Sequence, residues 1–174
     1  MEEQPRHQEF WPETQWGRLD TPLSRAAIAI GCTRAGAWVL RRCVGLDRQI
    51  LLRTQGKRTV FGPIGMPLLL LVTTGRKSGR TVITPLCYVR DHERILVAGS
   101  NFGQVQEPHW TANLRARPKA QVIMAGRSIS VYATELTGDE KARLYGRFID
   151  TLRVFAVYRD RSRREIPMFS LEAR

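Results

Sequence analysis

A small closed or partly open β-barrel carrying a few helices, mainly β within the α+β class, is the fold this sequence predicts. Three observations point to it. Short strand-like runs follow one another from residue 67 to residue 136, turn clusters such as "RDHER" and "AGRS" join them as hairpins, and the regular strand–helix alternation of a doubly wound sheet is missing. At 174 residues the chain suits one domain whose core needs neither metal nor disulfide.

Residues 1–20 read as an irregular arm with Phe10, Trp11 and Trp16 as docking points. Asp20-Thr21-Pro22 is a helix start, a capping side chain followed by a first-turn proline. From 22 to 44, Leu23, Ala27, Ile30, Trp38, Val39 and Val44 recur among arginines at helical spacing. That pattern predicts either a helix packed on the domain or a basic amphipathic helix on an anionic membrane. Residues 44–66 are rich in breakers and read as a connector with one short strand, so 21–60 form a helix-and-connector unit ahead of a barrel domain at 61–174. Strands are expected at 67–74, 81–90, 93–99, 120–125 and 128–136, and a last one lies in "IPMFSLE". "EPHWTANLRARP" predicts a short helix ended before Pro118. "TGDEKARLYGRFIDTL" predicts another, capped by Thr137, with Asp139 and Glu140 in its first turn and Leu144, Phe148 and Leu152 on one face.

Lys and Arg number 28 against 16 acids, a formal charge of +12, which calls for an anionic partner. Cys32, Cys43 and Cys87 are odd in number and widely spaced, so neither a zinc site nor a disulfide framework is indicated, and no metal is expected. The N-terminus lacks a secretory layout and no apolar run approaches membrane-spanning length, so a cytoplasmic protein is expected.

The motifs exclude several chemistries. "GRKSG" lacks P-loop spacing, GxGxxG and GxSxG are absent, and His7, His92 and His109 have no suggestive carboxylate partner. What remains is "TTGRKSGR", 73–80, between two strands. Gly75 and Gly79 permit a tight turn with outward N–H groups, Arg76, Lys77 and Arg80 add cations, and Thr74 and Ser78 add hydroxyls, a set suited to phosphate or a string of carboxylates. A solvated basic turn has the same composition. In "AGSNFGQVQEPHWTANLRARP" a strand ends in Ser100 and Asn101 and a helix places Trp110 and Asn113 on one face. As core residues these would need no ligand. In "VYRDRSRREIPMFSLE" three arginines crowd before the final strand and Tyr158 can face a pocket; a solvated basic loop is the plainer alternative.

Together these stretches resemble the deazaflavin-dependent nitroreductase family, a branch of the FMN-binding split-barrel fold. The family pattern TTGRKSG reads here as Thr73 to Gly79, TPL-x-Y as Thr84 to Tyr88, and SN-x-G as Ser100 to Gly103. P-x-W-x-x-NL-x-x-x-P reads as Pro108 to Pro118, and Y-x-x-R-[ST]-x-R-x-IP as Tyr158 to Pro167. The order is kept from Met66 to Glu172.

The resemblance implies a split β-barrel that binds coenzyme F420 and uses its reduced form to deliver hydride to a quinone, a nitroaromatic or an activated alkene. It implies that Thr74, Gly75, Arg76, Lys77, Ser78, Gly79 and Arg80 grip the phosphate and oligoglutamate tail. Pro85 and Leu86 would flank the ring, Ser100 and Asn101 would hydrogen-bond ring or acceptor, and Trp110 and Asn113 would brace that wall. Ser100 and Tyr158 are the candidate catalytic groups, and Cys87, Leu152, Phe155 and Tyr158 the candidate acceptor pocket. Val82 stands where relatives often carry arginine, and Arg80, two residues earlier, is a candidate substitute. Cys87 and Glu107 replace a frequent aromatic and a frequent histidine.

Two other classes stay open on sequence. One is a split barrel that binds FMN or merely carries a flavin, although FMN has no acidic tail to occupy three cations. The other is a basic module for nucleic acid or membrane. Nucleic acid is not expected, because the aromatics fall in apolar patterns rather than beside exposed cations. Peripheral membrane contact through 22–44 is compatible with an enzyme whose partner is a small-molecule hydride acceptor.

Overall fold

The computed structural model describes residues 11–12 and 17–174. Among them, six strands close into an antiparallel barrel in the order β1-β2-β3-β6-β5-β4. The strands are β1 Leu68–Thr74, β2 Thr81–Asp91, β3 Arg94–Ala98, β4 Lys119–Met124, β5 Arg127–Leu136 and β6 Met168–Ala173. β1 closes the barrel by pairing β4 from Leu70↔Ile123 to Val72↔Gln121. The hairpins fall where the turn chemistry placed them. His92, Ala125 and Gly126 adopt positive φ there, and Ala125-Gly126 makes the tight β4–β5 turn.

Side-chain alternation divides the apolar residues between two cores. Ile95 and Val97 of β3 point into the barrel with Leu69, Leu71, Val122, Met124, Phe169 and Leu171. Leu96 and Ala98 point outward, where Leu144, Phe148, Leu152, Val154 and Phe155 cover them. Those covering residues come from α4 Gly138–Thr151, α5 Val154–Ser162 and Leu152 in the two-residue link between them. Helix α3, His109–Ala116, plugs the barrel with Trp110 and Leu114, and the Trp110 ring meets Phe169 edge-on at 5.7 Å. Each of these fully buried side chains contributes about 1.5–3 kcal/mol.

The strand pairing leaves one gap that matters for function. β2 pairs β1 over Thr81–Cys87 and then β3 over Tyr88–Asp91. The edge of residues 81–87 turned away from β1 therefore has no strand beside it. Pro85, which has no N–H to give a ladder, is accommodated in this half-paired stretch. Arg48 covers part of the edge by donating from Nε to the Ile83 carbonyl at 3.0 Å.

Four expectations need correction. The helix expected over 22–44 is two helices, α1 Pro22–Cys32 and α2 Arg34–Arg53, broken at Thr33, whose hydroxyl caps α2 by accepting the Gly36 N–H at 2.9 Å. The connector holds no strand: α2 continues to Arg53, and a 3-10 turn at Gly62–Ile64 follows. Its apolar residues follow a helical period, and the buried Asp47 pins the next segment by accepting Thr59 Oγ1 at 2.8 Å and the Val60 N–H at 2.7 Å. The stretch before β6, where the sequence predicts no helix and a solvated basic loop is the plainer alternative, is largely α5, because Val154, Phe155 and Tyr158 pack inward and outweigh the surrounding arginines. Thr137 stands at the N-cap of α4 but its side chain makes no capping bond.

Part of the N-terminal arm docks. Trp11 is buried in the barrel core, donates from Nε1 to the Glu93 carbonyl at 2.8 Å, and its own carbonyl accepts Arg90 at 3.0 Å. Phe10 and Trp16 lie outside the described residues.

Candidate functional site

The β1–β2 loop is a turn closed by its own hydrogen bonds. The Gly75 N–H reaches the Arg80 carbonyl and the Gly79 N–H reaches the Gly75 carbonyl, both at 2.8 Å. Gly79 sits at φ +67°, which favours glycine, and Gly75 is buried where a Cβ would stand 2.6 Å from Ser78 Oγ. The Arg80 N–H donates to Ser78 Oγ at 3.3 Å. The N–H nest expected for anions is therefore narrower than the motif suggests. The amides of Gly75, Arg76, Gly79 and Arg80 are spent on the protein, leaving those of Lys77 and Ser78.

The side chains tell a different story. Arg76, Lys77 and Arg80 are exposed, and among the described residues none of them has an acidic partner. Arg80 precedes β2, so strand alternation does not carry it onto the face of Val82. Asn113 holds the base of the loop rather than the pocket wall: Oδ1 accepts the Arg76 N–H and Nδ2 donates to Thr73 Oγ1.

Beside the unpaired stretch of β2 lies an apolar cavity of about 210 Å³. Thr84, Pro85, Leu86 and Cys87 form its floor, Ser100, Asn101, Phe102 and Trp110 one side, and Leu152, Phe155 and Tyr158 another. All four expected acceptor residues thus meet in one place. Ser100 Oγ and Tyr158 Oη carry no hydrogen bond among the described residues, although both residues are buried. Burial, with the neighbouring thiols of Cys87 and Cys32, pushes the Tyr158 phenol far above its usual range. Burial also pushes the Cys87 thiol up to about 12. Both groups stay neutral at physiological pH.

The strand end is held from behind. Asn101, Phe102 and Gly103 take successive positive φ values of 46°, 56° and 74°, a conformation that costs energy for Phe102. Arg164 offsets it by forking across the turn, from Nη2 to the Gly99 carbonyl at 2.8 Å and from Nε to the Gln104 carbonyl at 3.2 Å. The result aims Phe102 at Tyr158, ring centroids 6.0 Å apart. Asn101 lines the cavity as expected, but its Nδ2 is committed to the Gln106 carbonyl at 2.9 Å, which leaves Oδ1 as the group it can offer. Glu107 ion-pairs with Arg115 at 2.6 Å. Burial opposes its charge, but hydrogen bonds from Thr111 and Arg115 hold it below the usual carboxylate range.

Sequence reasoning missed one wall. Ala27, Ile28 and Gly31 of α1 and Leu40, Val44 and Asp47 of α2 also line the cavity. The available signal was the inner stripe of α2, Gly36, Leu40, Cys43, Asp47 and Leu51, whose lone acid marks a face turned to protein.

These features define a barrel of the split-barrel class with a cationic loop at one end of β2 and an apolar cavity at its middle. The family model described as F420H(2)-dependent quinone reductase matches residues 48–173, and the chain belongs to that family. A Mycobacterium tuberculosis protein bearing the same family name is 33% identical over 109 residues, covering 63% of this chain and 92% of that one. The F420H(2)-dependent quinone reductase Rv1261c of Mycobacterium tuberculosis is 30% identical over 115 residues, covering 64% and 77%. Among solved structures, an F420-H2 dependent reductase, FDR-A, superposes with a TM-score of 0.56 at 29% identity over 61% of this chain and 94% of its own.

Proposed function

We propose that the protein is an F420H2-dependent reductase whose acceptor is a quinone. The observation that carries this reading is the continuity of β2. The strand leaves the cationic loop at Thr81, and four residues later, about 14 Å at ~3.4 Å per residue, Pro85 lines the cavity. That path suits a ligand with a flat apolar head and a long anionic tail, and membership of an F420H(2)-dependent family supplies its identity.

Arg76, Lys77 and Arg80, with the hydroxyls of Thr74 and Ser78, would hold the phosphate and carboxylates, while Pro85, Leu86 and Trp110 would flank the ring. When bound, the reduced deazaflavin supplies a hydride. The remaining tasks fall to this chain. The apolar lining excludes water. Ser100 Oγ and Tyr158 Oη, without a hydrogen-bond partner among the described residues, can each donate a hydrogen bond to an acceptor carbonyl as it gains negative charge. Tyr158 keeps its proton in place for that donation because burial disfavours the phenolate. Cys87, Leu152 and Phe155 would pack the acceptor ring. In this reading residues 61–174 bind cofactor and acceptor, and residues 21–60 roof them. Nitro compounds and activated alkenes, which also draw on a hydrogen-bond donor beside an apolar slot, are secondary acceptors.

The exposed face of α1 and α2 supports contact with an anionic membrane surface. Between 22 and 53 the chain has six arginines and one acid, and that acid, Asp47, is buried. Leu23, Ile30, Trp38, Val39, Leu46 and Ile50 are exposed on the same helices, and Arg42 lies over the Trp38 ring at 4.9 Å. Cations interleaved with solvent-facing apolar groups suit a helix lying in a lipid interface. No described helix is long and apolar enough to cross a membrane. Co-sedimentation with vesicles rich in phosphatidylserine, and not with pure phosphatidylcholine, is expected; equal recovery with both would remove the electrostatic argument.

The activity is tested by following menadione reduction with reduced F420 alongside equilibrium titrations with F420 and FMN. Turnover with F420H2 and tighter binding of F420 are expected. Preference for FMN, or no turnover across a panel of quinones and nitro compounds, would favour a flavin carrier.

A further inference from the structure

The roof of the cavity comes from this chain's own N-terminal helices. Ala27, Ile28, Gly31, Leu40 and Val44 lie upstream of residue 48, where the family match begins. The roof is anchored at several points. The Arg161 guanidinium of α5 holds the Cys32 carbonyl at the end of α1, Arg48 holds β2, and Asp47 holds Thr59 and Val60. The two helices meet tightly at Gly36, where a Cβ would stand 1.9 Å from the Ile30 carbonyl oxygen.

Gly31 has no backbone reason to be glycine. It lies inside α1 without positive φ, in a setting where glycine is the poorest helix former after proline. What glycine provides is space. A Cβ there would lie 3.0 Å from Leu40 Cδ1, 3.8 Å from Val154 Cγ2 and 3.9 Å from Tyr158 Oη. All three neighbours line the cavity. The added atom would enter directly beside the hydroxyl that faces the acceptor.

The structure assigns the α1–α2 hairpin the role of a size filter for the acceptor, with Gly31 keeping open the space in front of the Tyr158 hydroxyl. This rests on the cavity being the acceptor site. Its consequence is that fused two-ring quinones are admitted by a wall the family signature does not include, so acceptor width varies with residues 27–44 while the cofactor site stays the same.

The experiment compares wild type with Gly31→Ala, Leu40→Ala and the double variant, using benzoquinone, menadione and anthraquinone-2-sulfonate as one-, two- and three-ring probes. Quinone affinity is read by quenching of intrinsic tryptophan fluorescence without cofactor, kcat and KM with reduced F420, and stability by thermal melting. Gly31→Ala is expected to weaken menadione binding on the order of ten-fold, the usual effect of one methyl group in an apolar pocket, and to change benzoquinone binding less than two-fold. F420 affinity should hold and the melting temperature should not fall. Leu40→Ala should improve the three-ring probe, and the double variant should recover menadione, because Leu40 is the atom group the new methyl meets first. Uniform losses across ring sizes, or no change in any of them, would overturn the filter. Wild type that neither binds nor reduces any quinone would instead overturn the acceptor reading itself. If Gly31→Ala melts early, Leu40→Ala alone decides: an unchanged ring-size profile there overturns the filter.

Discussion

Asn113 Oδ1 accepts the backbone N–H of Arg76 at 3.0 Å, joining α3 to the cationic loop across 37 residues of sequence. The same amide donates to Thr73 Oγ1 at 3.1 Å, so one buried side chain sets where β1 ends and where the three cations begin. Loop and cavity are thereby fixed relative to each other, since Trp110 of the same helix lines the cavity.

Replacing Asn113 by Ala leaves the Arg76 N–H without its partner and the Thr73 hydroxyl with only a long bond to the Val82 carbonyl, 3.4 Å. A loss of about 1–3 kcal/mol in stability is expected, read by denaturant unfolding. F420 binding should weaken even in variant protein that is fully folded. Unchanged affinity would mean that the loop needs no bracing.

Replacing Arg76 and Lys77 together by Ala tests the grip on the acidic tail. Both side chains are exposed, so each contact is worth at most about 1 kcal/mol, and losing the pair should lower F420 affinity by up to roughly thirty-fold at low salt. The salt dependence of binding should become shallower, and FMN should lose less than F420. Equal losses for the two cofactors would contradict a tail grip.

Arg164 holds the strained turn at 101–103 through the Gly99 and Gln104 carbonyls. Lysine has the charge but not the planar fork. Arg164→Lys is expected to cost about 2 kcal/mol of stability and to lower kcat for menadione, with F420 affinity little changed because the loop is held separately by Asn113. Wild-type kcat in the variant would show that the turn holds itself.

The Cys87 thiol gives a stability signature in alkali. Burial raises its pKa to about 12 in the folded protein from an ordinary thiol value near 9. The unfolded chain therefore loses its proton first, and stability that is complete below about pH 9 declines as pH rises through about 12. Thermal melts between pH 8 and pH 11 should show a steeper fall for wild type than for Cys87→Ala, which lacks the group. Parallel curves would mean the thiol is solvated.

The strands and their hairpins were readable in the sequence because local signals agree there: alternating apolar residues, β-branched runs and glycine-bearing turns each favour the same structure. The two errors in helix placement have one cause. α2 beyond Val44 and α5 before β6 are rich in arginine, and their burial patterns need partners distant in sequence. Asp47 is matched by Thr59 and Val60, and Tyr158 by Phe102. The nest expected at 75–80 shrinks to the Lys77 and Ser78 amides for a similar reason, since motif composition counts N–H groups without showing where they are spent.

By itself the sequence determined the barrel, the cationic loop, the family and the β2, 100–110 and 152–158 parts of the cavity lining, because strand periodicity and motif order are written in adjacent residues. Only the tertiary structure decided which groups remain available. It committed four of the loop amides and the Asn101 Nδ2 to internal bonds, left the Ser100 and Tyr158 hydroxyls without a hydrogen-bond partner among the described residues, and laid α1 and α2 across the pocket. Hydrogen bonds and close packing satisfy groups pairwise in space, so availability becomes defined only when the chain has folded.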